Sequence, residues 1–309
     1  MYTLAVVIPT YKRTDLLNRL LESIEKELLP PSFKGVWVVE NGEKYGAEEL
    51  CSLWKKRLPL HYLYTETPGP SYARNLGAES ANTDFVIFLD DDVRLSGKTI
   101  NSYNREMQNY GPDYFYGGPL RIDYEKKPED WMLPYFPWSV KGQDLGNKIM
   151  QVEEAVFLGA NHAVPVKYFL KVGGFDSMCP VGEEGPLGEE TRLQRELLAA
   201  GMKGVYVPDA EVWHFVPKER CDKAWLFDRQ IRKGMTKGLH QSGNIGSGKS
   251  TMVIPIWFYK IYFMGLMKFV MSRFLINPES RFKAEYYLYE LKGIIRGYKK
   301  KLIQYKKSI

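Results

Sequence analysis

Three consecutive aspartates, Asp90, Asp91 and Asp92, follow the apolar run "FVIFL". Adjacent carboxylates raise one another's pKa values unless a cation or hydrogen-bond donors compensate their charge. Oxygen ligands of this kind suit Mg²⁺ or Mn²⁺, and such an ion can neutralise the charge of a leaving phosphate. The cluster therefore predicts a site for a metal and a diphosphate, and the competing interpretation is a solvated turn at the end of a strand.

A second pair of carboxylates, Glu189 and Glu190, follows Gly188 in the segment "GEETRLQREL". A carboxylate at the start of a helix can act as a general base, and the like charge of Glu189 would raise the pKa of Glu190 towards neutrality. The competing interpretation is that both residues stabilise the helix macrodipole.

The segment "GNIGSGKS", residues 243–250, fits the phosphate-loop consensus in all four required places, Gly243, Gly248, Lys249 and Ser250. A phosphate loop must lie between a buried strand and a helix. The preceding "KGMTKGLHQS" is not a buried strand, and Pro255 follows where the helix should continue. The context favours a Gly/Ser-rich connector over an ATPase or GTPase.

The elements that must position these residues alternate between strand and helix. Apolar runs predict strands at "LAVVIP", "GVWVVEN", "LHYLYTE" and "DFVIFLDDD", with helices after Thr14 or Asp15 and at "SYARNLGAESA". This order predicts an α/β fold with a mostly parallel sheet covered by helices. In such sheets ligands bind at the carboxyl ends of the strands, so Thr10, Glu40, Asn41 and the aspartates should meet at one edge.

The chain beyond residue 112 is more irregular and then becomes basic. From Ile256 onwards it carries twelve Lys or Arg against three Glu, whereas the preceding part is mildly acidic. The three cysteines are widely spaced, which argues against a disulfide scaffold or a zinc site and suits a reducing compartment.

The basic tail contains an apolar run of twenty residues, interrupted by Pro255, Lys260 and Lys268, and a later apolar stripe at helical spacing. A basic, amphipathic tail suits an interfacial helix on anionic lipid. Packing on the globule or on a second subunit is the main alternative. A membrane-spanning helix is disfavoured by the interruptions.

Seven blocks of the sequence stand together in an order and spacing that is similar to one enzyme family. The blocks are "VVIPTYKR", "VVENGE", "GPSYARNLG", "FLDDDV", "GGFD", "GEETRLQREL" and "VWHFVP". Over residues 1 to about 235 the chain resembles the family-two glycosyltransferases with the GT-A fold. This resemblance implies a Rossmann-like, mostly parallel sheet flanked by helices, followed here by a C-terminal helical basic tail.

The resemblance also implies an inverting transfer of a sugar from a nucleotide-diphosphate donor, with UDP favoured and Mn²⁺ or Mg²⁺ as cofactor. Glu190 matches the catalytic base, which is more often Asp. Metal contacts are expected from Asp92, Asp90 and His214, although His214 could equally be a hydrogen-bonded residue beside Trp213. The expected donor-binding residues are Pro9, Thr10, Tyr11, Arg13, Glu40, Asn41, Arg74, Asn75, Asp90 and Asp91. The expected acceptor-binding residues are Gly159, Ala160, Asn161, Glu189 and Trp213.

The resemblance divides residues 1–235 into a nucleotide-sugar-binding half (1–112) and an acceptor-binding and catalytic half (113–235). Composition adds a Gly/Ser-rich connector (236–254) and the basic tail (255–309). We expect a glycan or lipid-linked saccharide as acceptor, no nucleic acid as partner, and a peripheral position on the inner face of the plasma membrane. A homodimer is possible. "DRQIRKG" lacks the Trp of processive synthases, which predicts one sugar per encounter. The alternatives are a nucleotidyltransferase and a non-catalytic membrane-bound scaffold.

Overall fold

The computed structural model describes residues 1–176, 188–241, 254–274 and 277–307. The phosphate-loop-like segment, residues 243–250, lies outside the described residues. The described residues form eleven strands and ten α-helices. The strands are β1 (Leu4–Thr10), β2 (Phe33–Asn41), β3 (Leu60–Thr65), β4 (Phe85–Leu89), β5 (Val93–Leu95), β6 (Tyr114–Gly117), β7 (Leu120–Tyr124), β8 (Met150–Val152), β9 (Asn161–Pro165), β10 (Lys203–Tyr206) and β11 (Val212–Val216).

The helices cover the sheet and form the C-terminal part of the chain. They are α1 (Thr14–Glu25), α2 (Ala47–Trp54), α3 (Pro70–Ala81), α4 (Thr99–Tyr110), α5 (Trp138–Lys141), α6 (Val166–Lys171), α7 (Glu189–Ala199), α8 (Lys223–Gln241), α9 (Ile256–Ser272) and α10 (Pro278–Lys307). The strands and helices that the sequence predicts in the first 92 residues are confirmed, with β4 ending at Leu89 rather than within the aspartates.

The central sheet has eight strands in the order β3-β2-β1-β4-β9-β6-β10-β8, and a smaller sheet has the order β5-β11-β7. In the central sheet β1 pairs in parallel with β2 and β4, and β2 with β3. Strand β9 runs antiparallel between β4 and β6. The predicted mostly parallel α/β sheet is therefore confirmed.

All seven residues of β1 are buried because helices cover both faces of the sheet. Successive side chains point to opposite faces, so Leu4, Val6 and Ile8 belong to one core cluster and Ala5 and Val7 to the other.

Helix α3 lies close to the sheet because Gly77 carries no side chain. A Cβ atom at this position would lie 2.4 Å from Cγ1 of Val7. Strands β1 and β2 are in register at Thr10 and Glu40. The residues that follow β1, β2 and β4 therefore lie at one edge of the sheet, as predicted.

The chain forms two compact units. The first contains both sheets and comprises residues 1–125 and 137–216, as far as they are described. The second comprises residues 126–136 and the described residues from 217 onwards, and it contains α8, α9 and α10.

Helix α8 continues to Gln241, so the predicted connector from residue 236 begins inside a helix. Composition indicated a connector there, but Gly238 is helical, and together with the preceding Gly234 it packs against Gly293 and Gly297 of α10. Small residues let two helix backbones approach closely. A Cβ atom at Gly238 would lie 2.3 Å from the carbonyl oxygen of Ile294.

The apolar stripe of α10 is used inside the second unit. Leu291, Ile294 and Tyr298 are buried in one cluster with Phe258 of α9. Among the described helices, none combines the length and the apolar character that a membrane crossing requires.

We predict that Gly293→Ala destabilises the helical unit by about 1–3 kcal/mol, because its Cβ would lie 2.2 Å from the backbone oxygen of Ile231 and the helices would have to separate. Gly265→Ala in α9 is the matched control, since the nearest atom there is the flexible Cδ1 of Leu291, at 2.7 Å. Urea unfolding followed by far-ultraviolet circular dichroism measures both. Equal losses of stability in the two variants would contradict close backbone packing as the cause.

Candidate active site

The acidic loop, residues 90–92, is held by the end of β1 and the start of α1. The Thr10 hydroxyl donates a hydrogen bond to Oδ2 of Asp91 at 2.9 Å. Nη1 of Arg13 lies 3.2 Å from Oδ1 of Asp91 and 3.0 Å from Oδ2 of Asp92. Arg13 thus compensates two of the three carboxylates that the sequence places side by side.

The middle aspartate does not point away from its neighbours, as it would in an extended strand. Because β4 ends at Leu89, Asp91 and Asp92 lie in a turn and both reach Arg13. Burial, followed by the negative charge of Asp92, raises the pKa of Asp91 to about 7. The Asp91 carboxyl faces the protein, where Thr10 and Arg13 donate to its two oxygens.

Asp92 also contacts His214 of β11, whose Nε2 lies 3.2 Å from Oδ1 of Asp92. Both residues are buried. Carboxylate oxygen and imidazole nitrogen are ligands that Mn²⁺ accepts. The described residues contain no group of three or more His, Cys, Asp or Glu side chains that could enclose a metal ion. A divalent cation held by Asp92 and His214 would have to take its remaining ligands from phosphate oxygens and water, as Mg²⁺ commonly does.

A second arginine, Arg74 of α3, connects the acidic loop to helix α7. Its Nη2 lies 2.6 Å from Oδ1 of Asp90, and its Nη1 lies 3.5 Å from Oε1 of Glu189. The guanidinium is buried and lies 5.2 Å from the ring centroid of Phe175. A buried cation requires such partners, so Arg74 fixes the positions of both carboxylates.

Glu190 lies in the first turn of α7, next to the backbone of Gly159. A Cβ atom at Gly159 would lie 3.7 Å from both the Cβ of Glu190 and Nη2 of Arg74. Burial and the negative charge of Glu189 raise the pKa of Glu190 to about 7, while the charge of Arg74 acts in the opposite direction. Such a carboxylate can accept a proton near neutral pH.

Gln194, one turn further along α7, fixes this helix to the preceding loop. Its Oε1 accepts from the N–H of Phe157 at 2.9 Å, and its Nε2 donates to the carbonyl of Phe157 at 2.7 Å. The sequence analysis did not select Gln194. A polar residue between Leu193 and Leu197, on the apolar side of the helix, was the available signal.

Asn75 and His162 also position the site. The Asn75 side chain donates to the carbonyl of Phe175 and accepts from its N–H, each at 2.9 Å, so this predicted donor-binding residue supports the loop beside Arg74. His162 was not predicted. Burial lowers its pKa to about 3, and its Nδ1 lies 3.2 Å from the carbonyl oxygen of Gly159. His162 is therefore neutral at physiological pH.

Two predicted donor residues on β2 make internal contacts. The carboxylate of Glu40 accepts from the N–H of Tyr45 at 2.6 Å and from the hydroxyl of Tyr62 at 2.7 Å. The amide of Asn41 donates to the carbonyl of Thr10 and accepts from the N–H of Gly69. Asn41 therefore holds the start of α3 against β1.

The remaining predicted residues separate into those near the site and those away from it. Pro9 is the penultimate residue of β1, and Tyr11 follows the strand and is half exposed. Gly159 lies at the site, and Ala160 next to it is buried.

Asn161 is engaged within the protein and Trp213 lies on the exposed face of its strand, so their acceptor contacts stay predictions. The amide nitrogen of Asn161 donates to the carbonyls of Pro119 and Ala210, and its oxygen accepts from Tyr103, so its hydrogen bonds connect core elements. On β11 the alternation of side chains buries His214 and exposes Trp213 on the opposite face. Trp213 therefore points away from the acidic loop.

Comparisons with known proteins identify the family of this chain and its fold. The model of the family described as "Glycosyl transferase family 2" matches residues 5–173, which is more than half of the chain. The chain belongs to this family. The transferase is 26% identical over 240 residues to the succinoglycan biosynthesis protein ExoM of Rhizobium meliloti, covering 74% of this chain and 72% of that protein.

Two solved structures show the same fold at low sequence identity. Staphylococcus aureus TarS 1–349 in complex with UDP has a TM-score of 0.55 at 13% identity, covering 98% of this chain and 91% of TarS. The mannosyltransferase PcManGT from Pyrobaculum calidifontis, in complex with GDP-Man and Mn²⁺, has a TM-score of 0.57 at 17% identity, covering 96% and 87%. The transferase therefore has the GT-A fold, as predicted from its sequence blocks.

We predict that Glu190→Gln stabilises the metal-free transferase above pH 7. Between the usual pKa of 4.5 and about 7, folded Glu190 keeps a proton that the unfolded chain has lost, so stability falls as pH rises through this window. Glutamine removes this loss, which is about 1 kcal/mol because the carboxyl is only partly buried.

Thermal unfolding midpoints measured from pH 5 to pH 8 test this effect. Glu196→Gln, on the exposed side of the same helix, is the control and should show the wild-type pH dependence. Parallel curves for wild type and Glu190→Gln would contradict the raised pKa.

Proposed function

We propose that this transferase moves one sugar from a nucleoside-diphosphate sugar to a hydroxyl group of a glycan or lipid-linked saccharide, with inversion at the anomeric carbon. The observation that carries the proposal is the position of Glu190, which combines a pKa of about 7 with a place beside Arg74 and Gly159. The name of the relative ExoM, a succinoglycan biosynthesis protein, supports a role in polysaccharide synthesis.

In the proposed reaction Glu190 removes the proton of the acceptor hydroxyl as its oxygen attacks the anomeric carbon. The new C–O bond forms on the face opposite the leaving group. The bond between the anomeric carbon and the phosphate oxygen breaks, and its electron pair leaves with the nucleoside diphosphate. One such displacement inverts the configuration.

The other residues bind and orient the reactants. Arg13 and Arg74 carry the positive charge at this edge of the sheet, and Thr10 and Tyr11 lie at the end of β1, where a nucleoside can bind. Asp92 and His214 would hold a divalent cation, which would neutralise charge on the diphosphate. The UDP complex of TarS and the GDP-Man complex of PcManGT support a nucleotide donor and leave two bases to test.

We predict that a nucleoside diphosphate raises the thermal unfolding midpoint only when Mn²⁺ or Mg²⁺ is present. The reason is that the nucleotide binds the native protein tightly only when the cation completes the site. Among the nucleoside diphosphates of the four common bases, UDP is expected to raise the unfolding midpoint most. Asp92→Asn should remove the shift. Asp113→Asn, an aspartate whose contact with Tyr168 is exposed, should retain it. A shift given only by ATP or GTP and lost in Lys249→Ala would instead identify a triphosphatase.

We predict that Glu190→Gln lowers the rate of sugar transfer by about 10²–10⁴-fold while keeping the nucleotide-dependent thermal shift. Glu189→Gln should remain active, and the acidic limb of its pH–rate profile should move to lower pH, because the charge of Glu189 raises the pKa of Glu190. NMR of the product should show inverted anomeric configuration. Full activity of the Glu190→Gln variant would exclude Glu190 as the base. If the wild-type protein neither bound nor hydrolysed any nucleotide sugar, it would be a non-catalytic scaffold.

A further inference from the structure

Helix α9 exposes an apolar surface that the described residues leave uncovered. Its inner side packs on α10 through Phe258 and Gly265. Its outer side carries large apolar residues, of which Phe263 is 62% and Met271 64% exposed. We name this surface the α9 outer face, and its members are Trp257, Tyr259, Phe263, Met264, Met267 and Val270, together with Met271.

An apolar patch of this size is unusual for a surface in contact only with water. Scattered apolar residues on a surface are normal, but these lie on one side of a single helix over four turns. The α9 outer face therefore indicates an interaction surface.

The charged residues of α9 itself have one sign. Helix α9 contains Lys260 and Lys268 and no acidic residue, and Arg273 follows it. Neither lysine forms an ion pair with another residue in the part of the chain that the structure describes. Lysines within an apolar face can extend their ammonium groups to a polar layer while their stems stay in apolar surroundings.

A groove of about 540 Å³ continues the α9 outer face towards α10. Met271 and Tyr287 form part of its apolar lining, and Lys268 and Lys283 lie at its sides. Lys283 pairs with Glu279 at 2.9 Å, whereas Lys268 forms no ion pair with a described residue. The apolar groove with the ammonium group of Lys268 at its side is therefore complementary to a molecule that combines a hydrocarbon chain with an anionic head group.

We propose that the α9 outer face lies in the interfacial region of an anionic lipid bilayer, with its aromatic and methionine side chains among the acyl chains and its lysines at the head groups. A helix that lies in the interface has this combination of apolar surface and basic residues. The sequence pattern pointed to α10, whose stripe is instead buried against other helices.

A second copy of the chain fits this face less well than a bilayer. An isologous contact of α9 with α9 would bring the same lysines together with no carboxylate from either helix to compensate them. A bilayer containing anionic lipid supplies both the apolar medium and the negative charge. The proposal does not depend on the identity of the donor or of the acceptor.

Flotation of the full chain with vesicles tests the proposal. We expect binding to vesicles of phosphatidylcholine with phosphatidylglycerol, and much weaker binding to phosphatidylcholine alone. The double variant Phe263→Glu and Met267→Glu should weaken binding by more than about a hundredfold. The double variant Lys260→Ala and Lys268→Ala should weaken it by about fivefold for each lysine removed.

The control is the double variant Leu28→Glu and Leu53→Glu, which makes the same replacements at two residues that are 74% and 71% exposed outside α9. It should bind vesicles as the wild type does. Every variant should keep its thermal shift with nucleotide and cation, which reports an intact fold and active site.

Quenching by bromine-labelled lipid gives a readout that needs no disruptive variant. Trp257, which is 55% exposed on the α9 outer face, should be quenched on vesicle binding, and the quenched component should disappear in Trp257→Phe. Unquenched tryptophan, or equal flotation of all variants, would overturn the proposal. So would a dimer in light scattering that the Phe263→Glu and Met267→Glu variant dissociates, with no vesicle binding by the wild type.

Discussion

The active site depends on the compensation of several carboxylates that are placed together at one edge of the sheet. Arg74 links Asp90 of the acidic loop, residues 90–92, to Glu189, and Arg13 contacts the other two aspartates of the loop. Without these two guanidinium groups, the buried carboxylates would have to take up protons or remain solvated. The loop after β1 and helix α3 each supply one arginine, so the fold and the charge balance of the site are inseparable.

Neutral amide side chains also position the elements around the site. Gln194 fixes α7 to the backbone of Phe157, Asn75 fixes the loop at Phe175, and Asn41 fixes the start of α3 to β1. Each amide both donates and accepts, so it satisfies two buried backbone groups without adding charge to an already crowded site. The support of Glu190 and Arg74 therefore includes hydrogen bonds from neutral side chains to the backbone.

The second unit follows a different physical principle. Its helices α8 and α10 approach closely through four glycines, so their contact rests on backbone packing. Helix α9 then uses one apolar side for this unit and leaves the other exposed. Ion pairs therefore position the residues of the candidate active site in the first unit. Apolar and backbone packing hold the helices of the second unit together, and its exposed apolar surface is the proposed lipid contact.

The sequence alone determined strands β1 to β4, helices α1 and α3, the family, and the candidate roles of the acidic loop and Glu190, because apolar periodicity and motifs can be read along the chain. Tertiary structure decided which polar side chains already form hydrogen bonds within the protein. Asn161 and Glu40 match the predicted pattern but bind within the protein, Trp213 turns away from the site, and α8 continues through its glycines. These outcomes depend on contacts between residues far apart in the chain, and periodicity along one segment carries no information about them.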